Sequence, residues 1–304
     1  MDGADSPVHV PVLLPQVLDA LAPRPGGRYV DATANGGGHL RAVLDACAPD
    51  GRVLGIDRDP EILTALAGRC AEAIDTGRLI LATGSFAALG DVIAARQFGP
   101  VDGILFDLGL SSFHLDASGR GFSYTRDEPL DMRFDPTDDT SQSAADILAE
   151  RDADELTAIF RDYGEERFAS RIARTIVARR RDQPITTTGQ LFAAIEQSLP
   201  PATRWRANRD AARIFQALRI AANDELEQVA SVLPQAVAAL APGGRLAVIA
   251  FHSLEDRMVK HFLRDQAAAG RMRLLHRKPI IADEAEIAAN HRAASAKLRS
   301  AEKL

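Results

Sequence analysis

Four short apolar runs limit what this chain can fold into. Residues 28–32 (RYVDA), 52–56 (RVLGI), 79–82 (LILA) and 101–106 (VDGILF) each have the length of a strand. Helical periodicity fills intervals at 40–47 and 60–73, the second opened by Asp59 as N-cap and Pro60 in the first turn. Strands alternating with helices at this spacing predict a parallel, doubly wound α/β sheet.

The alternation then stops. Residues 111–140 are rich in Gly, Ser, Asp and Pro and read as a long loop. From 144 to 198 the pattern is helical, with Thr187 and Gln190 as a capping-box pair before LFAAI. Phe168, Ile172 and Ile176 make an apolar face, and Arg167, Arg171 and Arg174 a basic one on the same predicted helix. Another helix is expected over 210–240. Pro242-Gly243-Gly244 reads as a turn, after which 245–251 (RLAVIAF) returns to strand. The expected organisation is a helical domain, 113–209, inserted into an α/β domain made of 1–112 and 210–304. The tail, 267–304, shows no readable pattern.

Charge follows the same division. Residues 1–160 carry 12 Lys+Arg against 26 Asp+Glu, whereas 161–219 carry 12 against 6. An acidic front with a basic middle fits a small-cofactor domain joined to a polyanion-facing one; a solvated helical surface would look the same. No apolar run is long enough to span a bilayer. The N-terminal MDGADSPVHVPV lacks the basic-then-apolar order of a signal peptide. Cys47 and Cys70 have neither metal-ligand nor disulfide spacing, so no metal is expected, and the expected location is the cytoplasm.

The segment 31–39 (DATANGGGH) follows the first strand and opens a helix. Ligands bind at the C-terminal strand ends of open α/β sheets, where a glycine turn admits them. Asp57, ending the second strand, can accept from both hydroxyls of a ribose. NAD and S-adenosylmethionine are served alike by this arrangement. Two details favour the methyl donor. Gly36 and Gly38 are followed by Arg41 where the pyrophosphate-binding motif needs a third small residue. Phe86, after the third strand, can lie against an adenine face.

At 106–112 (FDLGLSS) the chain resembles a known family, the MraW or ribosomal RNA small-subunit methyltransferase H family. The similarity also runs through HVPVLLPQVLDAL (9–21), DATANGGGH (31–39), GIDRDP (55–60), RGFSY (120–124), PLDMRFDP (129–136), YGEERFASRIARTIV (163–177), FQALRIAANDELE (215–227) and PGGRLAVIAFHSLEDRMVK (242–260). The resemblance implies a class I, Rossmann-like S-adenosylmethionine methyltransferase sheet interrupted by an all-helical domain. It implies N4-methylation of a decoding-region cytidine of 16S rRNA, within a small ribosomal subunit or its precursor. It implies cofactor contacts at Gly37, Gly38, His39, Asp57, Phe86 and Asp107, and at position 114, where His114 stands in a Phe-His pair replacing the usual Pro-Gln. Asn35 replaces a usual glycine, and Asn tolerates the positive φ such a turn needs. Residues 208–213 depart from the usual HPATR but keep Arg213, and Ala294 replaces an arginine.

The residues also sort the chemistry. Methylation at pyrimidine C5 needs an attacking cysteine, and both cysteines fall in predicted helices behind the sheet. Ribose methylation commonly uses a lysine near the N-terminus, and the first lysine here is Lys260. Methylation of an amine remains. Asp107, Ser111 and Ser112 at the fourth strand's tip, with His252 and Ser253 after the fifth, are the groups that could hold such an amine. The catalytic candidates are Asp107, Ser111 and His252, the last as a substrate-orienting or core histidine rather than a base. Arg167, Arg171, Arg174 and Arg213 are expected to grip phosphate, with Phe122, Tyr124 and Trp205 as candidate stacking surfaces. Two rival readings are a small-molecule N-methyltransferase with a helical lid, and a non-catalytic assembly factor binding cofactor and rRNA.

Overall fold

The computed structural model describes residues 11–138 and 140–304. Residues 1–10, which hold the acidic N-terminal stretch and the start of the 9–21 segment, lie outside the described residues, as does the side chain of Ser112. Two compact units are present, Met1–Ser111 with Glu227–Leu304, and Ser112–Leu226.

The first unit is a seven-stranded sheet in the order β3-β2-β1-β4-β5-β7-β6. Its strands are β1 (Arg28–Asp31), β2 (Arg52–Asp57), β3 (Leu79–Thr83), β4 (Val101–Asp107), β5 (Leu240–Ala250), β6 (Met272–Leu274) and β7 (Lys297–Lys303). β1 to β5 pair in parallel, while β7 runs antiparallel to both β5 and β6. The central strands read as continuous apolar runs because both faces are covered. Side chains alternate between two cores. Tyr29, Val53, Leu105 and Ala247 face Val17, Leu40 and Leu66. Val30, Leu54, Ile104 and Val248 face Ile93, Leu233 and Leu263 on the other side.

The four strands expected from the short apolar runs are present, and the fifth, expected over 245–251, is the second part of β5. The expected turn at 242–244 lies inside β5: Leu240 pairs with Val101, and the register resumes only at Arg245 opposite Gly103. Pro242-Gly243-Gly244 therefore bulges out of the strand rather than ending a helix before it. The tail contributes β6, a short helix at Glu284–Ala289 and β7.

The second unit is helical: Ala144–Glu150, Ala153–Asp162, Ala169–Arg179, Thr188–Ser198 and Ala207–Asn223. Ser143, Asp152 and Thr187 each close a capping box, so the sequence marks three of these starts locally. Ile147, Phe160, Ile172, Ile176, Leu191 and Ile214 fill its interior. The predicted single helix over 210–240 is two. Asp224, with φ 50°, ends the first, and Glu225–Ala239 begins anew. The unit division accordingly falls at Leu226 and Glu227 rather than at 209 and 210, because Ala207–Asn223 packs among the helices. Asn223 ties this helix to the preceding loop. Its side-chain amide donates to the Met132 carbonyl at 2.7 Å, and its oxygen accepts from the Phe134 N–H at 2.9 Å.

Candidate functional site

β1 pairs with β2 on one side and β4 on the other, so the chain's direction of winding reverses between β1 and β4. The crevice beyond the tips of these strands is where such a sheet binds ligands. Three carboxylates meet there. Asp31, Asp57 and Asp107 end β1, β2 and β4, and all are buried.

The turn after β1 is held by these acids. Asp57 Oδ2 accepts the Asn35 N–H at 2.7 Å, and Oδ1 accepts the Asp59 N–H at 3.0 Å. Asp59 in turn caps the helix Pro60–Arg69 through the Glu61 N–H at 2.9 Å. Asp57 is thus not the helix cap itself; it fastens the β1 turn to the tip of β2. Asn35 adopts φ 46° and Gly37 φ 80°, so Asn35 fills the position where a glycine was expected. Gly37 has no room for a side chain: a Cβ there would lie 2.3 Å from Leu66 Cδ1.

Asp107 is anchored from several sides. Its N–H donates to Thr33 Oγ1 at 2.6 Å, and its carbonyl accepts from Asn35 Nδ2 at 3.4 Å. One carboxylate oxygen, Oδ2, lies 3.5 Å from His39 Nδ1. The other, Oδ1, is buried and accepts no hydrogen bond among the described residues. His39 Nε2 is 2.9 Å from the Val12 carbonyl, which can only accept, so Nε2 carries a proton. A carboxylate facing Nδ1 favours a proton on the second nitrogen as well, and so favours the imidazolium form. Burial opposes that charge, yet Asp107, then Asp31 and the Val12 carbonyl, raise the imidazole pKa above its ordinary value. Burial pushes the Asp31 carboxyl up to about 7, with His39 pulling the other way.

Phe86 follows β3 in a short 3-10 turn that Ser85 caps, and its ring meets Phe106 edge-on at 5.8 Å. It is half-buried, leaving part of the ring for a ligand. Gly109, just past β4, is held against Phe251 after β5: a Cβ would come within 2.5 Å of that ring. Ser111 is buried at the end of this unit's first segment.

Other sequence candidates take different places. His252 is the N-cap of the helix Ser253–Ala268: its Nδ1 accepts the Glu255 N–H at 3.4 Å, and Nε2 sits 3.1 Å from Glu255 Oε1. Nδ1 is thus spent on the cap, whereas Nε2 is buried and makes no hydrogen bond among the described residues, an arrangement that fits the orienting role expected of His252 rather than a general base. Glu255, which sequence reasoning passed over, also accepts the Phe251 N–H at 2.9 Å. Its signal was its place three residues past the N-cap. His114 belongs to the helical unit, buried between Phe122 and Phe134, each 5.1 Å away.

Among the arginines, Arg171 and Arg174 are exposed on the helix Ala169–Arg179. Arg167 is exposed in the turn before it, its guanidinium 4.5 Å over the Phe168 ring. Arg213 is partly exposed; it pairs with the buried Glu166 at 3.5 Å and donates to the Glu165 carbonyl at 3.3 Å, contacts that tie it to the fold of the helical unit. Cys47 and Cys70 are buried, and burial raises both thiol pKa values, which suits neither to nucleophilic attack.

A crevice with three carboxylates disfavours a pyrophosphate and favours a ligand that brings positive charge and hydrogen-bond donors. S-adenosylmethionine fits, with a sulfonium, an ammonium and two ribose hydroxyls. A buried acceptor such as Asp107 Oδ1 calls for one such donor.

Comparison with known proteins agrees. A profile of the MraW methylase family matches residues 6–304. "Ribosomal RNA small subunit methyltransferase H" of Heliobacterium modesticaldum is 47% identical, covering 97% of this chain and 98% of that protein. Proteins of the same name are 51% identical in Thermomicrobium roseum, covering 98% and 94%, and 50% identical in Methylococcus capsulatus, covering 96% and 99%.

Proposed function

Since the chain belongs to the MraW methylase family and is an S-adenosylmethionine-dependent methyltransferase, we propose that it methylates the exocyclic N4 of a decoding-region cytidine in 16S rRNA. The substrate on this reading is a small ribosomal subunit or its precursor in the cytoplasm. The observation that carries it is the buried acidic crevice at the tips of β1, β2 and β4, with Asp107 Oδ1 lacking a donor there.

The bound cofactor supplies an electrophilic methyl group on a positively charged sulfur. Asp57 accepts from the ribose hydroxyls while still fastening the turn, since each carboxylate oxygen can accept twice. Phe86 lies against the adenine, and the Gly37–His39 backbone takes the amino-acid end. Asp107 Oδ1 accepts from a cofactor donor, with His39 holding the opposite oxygen. This division gives Asp107 a cofactor role. Position 114 keeps a cofactor role in this proposal only through the family resemblance, and the aromatic packing of His114 supplies no further support for it.

A cytosine N4 carries a lone pair delocalised into the ring, so no strong base is needed before attack. What it needs is orientation and a nearby acceptor once positive charge develops. Ser111, buried just beyond β4, and carbonyls near it serve that purpose. Arg167, Arg171 and Arg174 hold RNA phosphates, and the helical unit is the RNA-binding one.

The test is mass mapping of methylated nucleosides in 16S rRNA from a deletion strain, with and without the wild-type gene. Loss of one N4-methylcytidine that the gene restores is expected. An unchanged nucleoside map would overturn the reading, and failure to bind RNA at low salt would favour a small-molecule methyltransferase instead.

A further inference from the structure

Three aromatic residues offer themselves as base-stacking surfaces, and the protein uses two of them for its own packing. Phe122 is buried and stacked on Phe134 at 5.6 Å. Tyr124 stacks on Phe192 at 5.9 Å and meets Phe215 edge-on at 5.3 Å. Trp205 is 82% exposed. Tryptophan is among the most apolar and most buried side chains on average, and leaving a whole indole in water forfeits its burial energy.

The setting of Trp205 says what would cover it. It lies in the 3-10 turn Pro201–Arg206, directly before the helix Ala207–Asn223. Arg206 pairs with the fully buried Asp210 at 3.2 Å, which pins the turn to the helix. Arg204, just before it in the turn, and Arg209, in the first turn of the following helix, are both exposed. From 197 to 209 there are three arginines and no Asp or Glu. A protein-docking patch would surround its tryptophan with other apolar side chains. Here a single exposed aromatic ring shares a short segment with exposed cations, the composition of a surface that stacks a base and holds the phosphates beside it.

Resting on the rRNA substrate proposed above, we infer that Trp205 is a stacking platform for an unpaired nucleotide of that RNA, with Arg204 and Arg209 holding the flanking phosphates. Unpaired bases expose a π-face that paired ones do not, so the platform selects single-stranded or splayed segments over duplex.

Trp205 is the chain's only tryptophan, so its fluorescence reports on this position alone. Titrating the full-length protein with a short oligocytidylate should quench the emission to saturation; a duplex of equal length should not. Trp205→Leu should weaken oligocytidylate binding about tenfold, while Trp205→Phe keeps most of it. The salt slope should be unchanged in Trp205→Leu and lowered in an Arg204→Gln, Arg209→Gln double variant. With small subunits as methyl acceptor, Trp205→Leu should raise KM for RNA and leave kcat in place. Emission that does not move at saturating RNA, or a Trp205→Leu protein that binds RNA as tightly as wild type, would overturn the platform. A blue shift on anionic phospholipid vesicles without RNA quenching, or self-association abolished by Trp205→Leu, would overturn it in favour of a lipid or a second copy. If RNA quenches Trp205 but the wild-type protein methylates no ribosomal RNA, the platform stands and the substrate assignment falls.

Discussion

The strand-tip crevice and the helical unit use charge in opposite ways. At the tips, Asp31, Asp57, Asp107 and His39 are buried, and each has contacts to backbone or to one another. On the helical unit, Arg167, Arg171, Arg174, Arg204 and Arg209 stand in water. A buried charge is costly unless its partners are in place, so it specifies one geometry. An exposed charge costs little and specifies little, but it adds long-range, salt-dependent attraction. The first arrangement suits one small molecule in one pose; the second suits a large polyanion.

Substitutions can break this contrast. The largest effect is expected at Asp57. Asp57→Ala removes a charged acceptor from the ligand and orphans the Asn35 and Asp59 N–H groups, so cofactor affinity should fall about 100-fold. Isothermal titration measures it, and circular dichroism should show the fold retained. Unchanged affinity would mean that Asp57 only shapes the loop.

Gly37→Ala should come next. The positive φ and the collision with the buried Leu66 together predict a loss of about 2 kcal/mol in denaturant unfolding. A neutral result would show the turn can relax, which would also loosen the argument for a single cofactor pose.

On the other side of the comparison, changing Arg167, Arg171 and Arg174 together to Ala should weaken RNA binding about tenfold at low salt. The logarithmic salt slope should drop by about 2, while cofactor affinity stays put. An unaltered slope would reduce this stripe to an ordinary solvated surface.

The smallest effect concerns pH. Asp31 binds its proton more tightly folded than unfolded, since its pKa rises from 3.8 to about 7. The stability it contributes is complete below 3.8 and is lost as pH climbs to about 7. His39, with its pKa also raised, loses its contribution in the same direction, as pH passes its folded value. The Tm difference between wild type and Asp31→Asn should therefore shift by a few degrees from pH 5 to 8, against the wild type at the higher pH. A constant difference would mean that Asp31 is ionised throughout and that His39 alone balances the cluster.

Much of this contrast is legible in the sequence, for identifiable reasons. The buried parallel strands announce themselves because both faces are apolar, and Asp57 and Asp107 are readable as the polar residues that end such runs. Ser143, Asp152 and Thr187 mark helix starts through purely local bonds. What escaped depends on distant partners. β7 reads as KLRSAEK, with little hydrophobicity, and exists because β5 and β6 flank it. The helix break at Asp224 carries no Gly or Pro. The commitment of Arg213 to Glu166 and of His252 to Glu255 becomes visible only once side chains are placed. The exposure of Trp205 is a tertiary fact as well, because a lone tryptophan in a sequence reads first as core.

The pairing of β4 with β5 has a consequence for how the molecule is made. The two strands are neighbours in the middle of the sheet, yet about 130 residues of chain separate them. On a translating ribosome that interval lasts on the order of ten seconds. Throughout it, the backbone edge of β4 that β5 will cover has no partner strand. The newborn protein therefore passes through a long adhesive stage, and its yield in vivo depends on whatever shields that edge until β5 emerges.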